Sequence, residues 1–424
     1  MRAAFQRTTA RKVAGILLPL AAAWGTAVLA QEPANEEEIR REMAAAERLL
    51  GKTPDRASGL YLLAALHAQL GEIQPAMSNL KECVSLKEGF DPSGGPEFAA
   101  LKGAREYDQL VEQARKDFPA VSQARLAYVT TEKDLVPEGL AYDSARNVFY
   151  LSSLNLRKIE KIPGNSVIKA PAKGTIPEKS SDFVPGDRYK LLPILGIRMD
   201  PSDGSVWSNS CLDEGKSELL HFDPDGTLLG RYDRTQEPAK HCFNDLVVLP
   251  SGDVFLTDTL ANKVLQFQPK TQAFSEVKVS RELLEPNGIT LSGDNQLLYV
   301  ADQLGVLRVD LKTGESVEVD AGPHSTLAGI DGLYWHKGSL IAIQNGIGRP
   351  RVAAFQLAKD GAHVSKTTIL EYRSNLCVLP TTGALREDDF FYIVNSGSNN
   401  LNTDDRVMDV TKLEPVRIAV IHLP

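Results

Sequence analysis

Five stretches of this chain begin alike, and that recurrence limits the fold more than any other feature. Glu138-Gly-Leu-Ala-Tyr-Asp leads to Val148-Phe-Tyr-Leu-Ser, and Leu195-Gly-Ile-Arg-Met-Asp leads to Val206-Trp-Ser. Asn244-Asp-Leu-Val-Val leads to Val254-Phe-Leu-Thr-Asp, Asn287-Gly-Ile-Thr-Leu to Leu298-Tyr-Val-Ala-Asp, and Asp331-Gly-Leu-Tyr-Trp to Leu340-Ile-Ala-Ile-Gln. Each is an alternating strand, a turn and a second apolar strand. Successive heads lie between 43 residues (Asn244 to Asn287) and 57 residues (Glu138 to Leu195) apart. That spacing suits the four-stranded blades of a β-propeller with variable loops. A sixth unit is expected around Leu379-Pro-Thr-Thr-Gly and Phe390-Phe-Tyr-Ile-Val-Asn. The strand starting at Arg125 is expected to pair with the final strand, Val416 to His422, closing the ring and removing the open sheet edge. An array of β-sandwiches would not explain the shared heads.

In a propeller the first strand of each blade lines the central channel, so Glu138, Asn244, Asn287 and Asp331 should converge at one mouth. Two carboxylates and two amide carbonyls form an all-oxygen set of the kind a hard divalent cation prefers, with water or ligand completing the shell. The absence of thiolate and imidazole from the set speaks against zinc or copper. The expected cofactor is therefore calcium, or another divalent cation. The plainer alternative is that Asn and Asp at strand heads only form turns.

The chain divides into three expected parts: residues 1–30, 31–120 and 121–424. The first has Arg2, Arg7, Arg11 and Lys12 before an uncharged run from Val13 to Ala30, which reads as a signal peptide cleaved after Ala30. The protein is then exported, periplasmic or secreted, with no stable membrane insertion after cleavage; a retained single anchor is the alternative, since the run approaches spanning length. The second part is rich in Ala, Leu, Glu and Gln. Its apolar residues recur at helical spacing over Ile39 to Leu50, Ala57 to Leu70 and Ile73 to Leu86, each predicting one apolar stripe, with a further pair at Glu97 to Lys102 and Arg105 to Lys116. With 47 basic and 55 acidic residues, the chain has no basic excess to suit nucleic acid. Cys211 and Cys242 are the cysteines best placed to pair, near the tops of adjacent blades; buried free thiols are the alternative.

The stretches Pro137-Glu-Gly-Leu, Phe243-Asn-Asp-Leu with Phe255-Leu-Thr-Asp, Glu285-Pro-Asn-Gly-Ile-Thr-Leu-Ser and Gly329-Ile-Asp-Gly-Leu resemble the senescence marker protein, gluconolactonase and luciferin-regenerating enzyme-like family, a relative of the paraoxonases. The resemblance implies a six-bladed ring holding calcium, with Glu138, Asn287 and Asp331 as ligands and Asn244 as a ligand or substrate-orienting amide. It also implies hydrolysis of a lactone or related ester by a metal-positioned water, with Asp331 accepting the proton. His241, three residues before Asn244, is the best imidazole for a second base. Two positions depart from the pattern: Leu195 stands where paraoxonases have histidine, and Cys242 where sugar-lactone hydrolases have arginine. The helical segment from Leu60 to Ala76, with Phe98-Ala-Ala-Leu-Lys and Tyr107 to Leu110, resembles a tetratricopeptide repeat and a degenerate successor. That implies a protein partner, whereas an arm packed on the propeller is the structural alternative. The other functional reading is a non-catalytic, calcium-stabilised propeller that binds a small metabolite, peptide or protein. The polar segments Lys161 to Lys190 and Ser396 to Asp409 are expected to be loops at the rim of the site.

Overall fold

The computed structural model describes residues 36–50, 55–167, 180–212, 215–402 and 405–424. The apolar leader and residues 168–179 of the first polar insertion lie outside the described residues. From Arg125 onward the chain forms a six-bladed β-propeller, preceded by a short helical arm.

The innermost strands of blades one to six are Leu140–Asp143, Ile194–Met199, Phe243–Val248, Ile289–Leu291, Ile330–His336 and Gly383–Arg386. Each starts an antiparallel sheet of at least four strands. Alternation of side chains lets each sheet bury both faces against its neighbours. The result is six separate apolar cores, one in each wedge between successive blades. The first-to-sixth wedge closes with Phe149 against Phe391, their ring centroids 4.9 Å apart. Closure also uses the expected strand pair: Arg125 faces Val420 and Val129 faces Arg417, making the first propeller strand the outer strand of blade six. Val121–Ser122 adds a fifth strand to blade five.

The arm contains α1 (Glu36–Leu50), α2 (Arg56–Gln69), α3 (Ile73–Ser85) and α4 (Arg105–Asp117), with a 3-10 turn at Pro96–Leu101. Asp55 caps α2 by accepting from Ser58 N. The single apolar stripe expected for α2 is not what forms: α2 is buried on almost every side, between its fellow helices and the propeller. Its apolar cluster includes Leu284, Leu304, Ala328 and Ile347 from the loops of blades four and five. Asp91 fixes the same contact. It accepts from the Tyr372 hydroxyl at 2.9 Å and from the Arg373 guanidinium, and its backbone bridges to Gly348. Gly348 has φ +92°, and a side chain there would meet the Asp91 carbonyl. Among the described residues no helix is long and apolar enough to cross a membrane.

Candidate active site

Strand register identifies the equivalent residue of every blade. Leu140, Ile197, Leu246, Ile289 and Leu333 each pair with the adjacent second strand, and the residue two positions earlier is the head: Glu138, Leu195, Asn244, Asn287 and Asp331. In blade six the Ile393 amide donates to the Thr382 carbonyl as the Ala301 amide does to Gly288, which makes Thr381 the sixth head. The four polar residues singled out in the sequence therefore occupy equivalent places around one channel. Thr381 was hidden because a hydroxyl after proline carries no metal or acid-base signal.

The next residue explains how closely the heads approach. Side chains on Gly139, Gly196 and Gly288 would run into the carbonyls of Leu195, Asn244 and Asp331, the heads of the following blades. Blade three breaks the pattern with Asp245, which is almost fully buried. Its carboxylate accepts from Arg198 at 2.9 Å, and the Arg198 guanidinium lies 5.2 Å from the centroid of the Tyr334 ring. The arginine within the strand Leu195-Gly-Ile-Arg was the available signal for this internal ion pair.

Three carboxyl groups, from Glu138, Asp245 and Asp331, thus interact electrostatically in a buried space, and Arg198 is matched to Asp245. The other two have no cation of their own among the interactions described. Burial, reinforced by the charges of Asp331 and Asp245, pushes the Glu138 carboxyl well above its ordinary range, against a hydrogen bond from Thr381. Burial, opposed by the Asn345 amide and reinforced by Asp245, pushes Asp331 up to about 7. Asn345 Nδ2 donates to Asp331 Oδ2 at 2.6 Å and to the Pro380 carbonyl at 3.0 Å, holding the carboxyl in place. The Asn287 amide also favours the ionised Asp331, and Asn287 Oδ1 is itself a buried acceptor with no donor. Asp331 and Asn287 line a narrow cleft with room for about one water, which Glu285, Gln303 and Gly346 also border. Asn244 Nδ2 donates to Thr259 Oγ1 at 3.2 Å, and Thr259 donates onward to the Pro286 carbonyl.

The calcium expectation, and that of another divalent cation, is corrected by these positions. Among the described residues no group of three or more His, Cys, Asp or Glu side chains is arranged to hold a metal ion. The heads contribute only two carboxyl groups, Asp245 is committed to Arg198, and one oxygen of Asp331 is occupied by Asn345. Glu138, Asn244, Asn287 and Asp331 are neighbours in the ring, but their side chains form a polar lining and not the expected cation shell.

His241 is buried beside this lining. Its Nδ1 lies 2.6 Å from Asp258 Oδ2, and its Nε2 has no hydrogen-bond partner, with Glu237 3.9 Å away. Cys242, next in the chain, forms a disulfide with Cys211, joining blade three to blade two; Cys83 and Cys377 are free and buried. On the opposite rim, the described part of the second polar insertion packs Leu401 and Val407 near Val136, Leu154 and Leu195. Val407 N donates to Asn155 Oδ1 at 3.0 Å.

No protein-family model and no curated protein sequence matches the chain. Among solved structures, it is similar to a gluconolactonase from Xanthomonas campestris at 16% identity, covering 72% of this chain and 91% of that one with a TM-score of 0.46. A luciferin-regenerating enzyme matches at 14% identity over 69% and 92% of the two chains, with a TM-score of 0.47. Virginiamycin B lyase from Staphylococcus aureus matches at 15% identity over 70% and 98%, with a TM-score of 0.46. These proteins differ in chemistry, and none assigns a reaction to this chain. The sheet order and register of the chain itself define it as a six-bladed β-propeller with a helical arm.

Proposed function

We propose that this protein is an exported hydrolase of a lactone or related ester, with Glu138 and Asp331 as an acid-base pair at the channel mouth. The observation that carries the proposal is the pair itself. The charge of Asp331 helps raise the Glu138 carboxyl well above its ordinary range, and burial pushes Asp331 itself up to about 7. In this reading the raised Glu138 carboxyl is the hydrogen-bond donor and Asp331, which ionises near neutrality, is the base.

In the proposed reaction, Glu138 donates a hydrogen bond to the substrate carbonyl oxygen, and Asp331 accepts a proton from water as that water attacks the carbonyl carbon. Collapse of the tetrahedral intermediate breaks the acyl carbon-oxygen bond. The departing alkoxide takes the proton held by Asp331, giving a hydroxy acid from a lactone, or an acid and an alcohol from an open ester. Asn345 positions the base, and the Asn287 amide borders the space beside it. Export is supported by the leader pattern of the sequence and by the Cys211–Cys242 disulfide, which suits an oxidising compartment.

The test is hydrolysis of aliphatic and sugar lactones and simple esters by the purified chain, with Glu138→Gln and Asp331→Asn alongside. Turnover that rises as pH passes about 7 and falls at least a hundredfold in Asp331→Asn supports the pair. Absence of turnover across the panel, or full activity in Asp331→Asn, overturns it. Tight binding without turnover would favour a ligand-binding propeller.

A further inference from the structure

Every blade carries the same backbone tie near its head. An amide at or just beyond the end of the second strand donates to the carbonyl of a residue two or three places before the head: Leu154 to Val136 in blade one, Cys211 to Pro193 in blade two, then Thr259 to Cys242, Gln303 to Leu284, Gly346 to Gly329 and Ser396 to Leu379 in blades three to six. Side chains stand at both ends of the other ties; in blade five both ends are glycine. There the two segments lie closer than side chains allow. A Cβ on Gly329, whose φ is +59°, would be 2.6 Å from the Gly346 carbonyl carbon, and one on Gly346 would be 2.7 Å from Gly329 Cα. Asp331 is two residues beyond Gly329 and Asn345 directly precedes Gly346, so this tie backs the bond from Asn345 Nδ2 to Asp331 Oδ2. In blade one, where Val136 and Leu154 form the tie, Ser153 takes the place of Asn345 and donates to the Leu135 carbonyl instead.

Glycine permits this approach but restrains the backbone least. The restraint comes from the arm. Ala328 and Ile347, the outward neighbours of the two glycines, are buried in the apolar cluster that contains α2, and the Asp91 amide donates to the Ile347 carbonyl at 3.1 Å. We infer that the glycine tie of blade five, clamped from outside by the helical arm, positions Asn345 against Asp331, so that Gly346 and Ile347 are positioning residues and the arm is an integral part of the site. The role of this tie in turnover rests on the hydrolase reading above; the tie itself does not. An alanine at Gly346 forces the two segments apart and carries the Asn345 amide away from Asp331. An alanine at Ile347 removes the side chain through which the arm bears on the tie and adds no atoms.

The experiment follows solvent exchange of the Asn345 side-chain amide by NMR, its resonances assigned through Asn345→Asp, in the natural chain, Gly346→Ala, Ile347→Ala and Ser396→Ala. On the same proteins it measures kcat and KM with the lactone or ester of the panel above that the natural chain turns over fastest. Exchange should quicken roughly tenfold in Gly346→Ala and roughly threefold in Ile347→Ala, with kcat falling alongside and KM held within about threefold. Ser396→Ala, which trims the tie of blade six, should change neither. Equal exchange in folded Gly346→Ala and Ile347→Ala overturns the tie, and a change in Gly346→Ala alone overturns the arm's part in it. Faster exchange with unchanged kcat overturns the positioning role and leaves the hydrolase reading standing. If the natural chain turns over nothing in the panel, the hydrolase reading fails and exchange alone decides the tie. If Gly346→Ala does not fold, Ile347→Ala decides it.

Discussion

Replacing Asp91 by alanine tests whether the arm is fastened to the propeller as the contacts indicate. The carboxylate is 1% exposed and accepts from Tyr372, Arg373 and the Ser93 amide, with Arg349 Nε 3.8 Å away. Removing one member of a buried, hydrogen-bonded charge network costs about 3–5 kcal/mol, because the remaining charge stays buried without its partner. The Arg373 side chain is 13% exposed and that of Arg349 42%, so water recovers part of the loss. We expect about 3 kcal/mol, or on the order of a hundredfold in the docking equilibrium. The loss should fall on the arm, since none of the six interblade cores includes Asp91. Amide hydrogen exchange should therefore accelerate through α2 while the inner propeller strands remain protected. Asp91→Asn keeps acceptors for Tyr372 and Ser93 and should lose less. Unchanged exchange in α2 of Asp91→Ala would refute the assignment of Asp91 as the fastening group.

Three further outcomes follow from the same structure. Glu97 is pushed up to about 8 by burial, against a hydrogen bond from Tyr61. Its raised folded pKa means that the folded state holds the proton longer, so its contribution to stability falls as pH rises from about 4.5 to about 8. Glu97→Gln should gain about 2 kcal/mol over the natural chain at alkaline pH and little at acid pH, measured by urea denaturation; a pH-independent difference would count against this. Opening the Cys211–Cys242 bridge, whose partners are 31 residues apart, should remove about 3–4 kcal/mol from stability in the chain-entropy account, and denaturation with and without reductant measures it. Phe391→Ala should lower stability by about 3–5 kcal/mol, because it empties the closing wedge of the ring where Phe391 meets Phe149 and Arg386.

The propeller was legible because its signal is local and repeated: alternating strands, turns and a small set of heads recur at blade spacing. Even the apolar head Leu195 was identifiable by position, since its glycine and following strand kept register with the others. The arm's position was not legible. Helical periodicity reveals that α2 must bury apolar residues, but it does not say against what, and the partners Leu284, Leu304, Ala328 and Ile347 lie more than two hundred residues away. The calcium expectation failed for a related reason. Sequence placed four oxygen-bearing heads around one channel but did not reveal that Asn345 would occupy one oxygen of Asp331, or that Arg198 would hold Asp245. Head identity gives position; the chemistry depends on neighbours from other blades.

His241 shows how that distinction bears on catalysis. An imidazole bonded to a buried carboxylate resembles part of a catalytic relay, yet blade four contains a parallel arrangement without a histidine. Asp302, at the end of its second strand, accepts from the amides of Leu284, Leu304 and Gly305 and from Arg281. Asp258, at the end of the second strand of blade three, accepts from the amides of Cys242 and Ala261 and pairs with His241. In both blades a buried aspartate ties together loops at the top of the sheet, and a basic side chain completes its coordination. The structural role of His241 is then to brace the loop carrying Cys242, and His241→Asn separates that role from catalysis because an amide can still donate to Asp258. We expect His241→Asn to retain turnover within about threefold, while His241→Ala loses about 1–3 kcal/mol of stability by leaving Asp258 under-satisfied. A hundredfold loss of kcat in folded His241→Asn, with its pH profile displaced, would instead place the imidazole in the reaction.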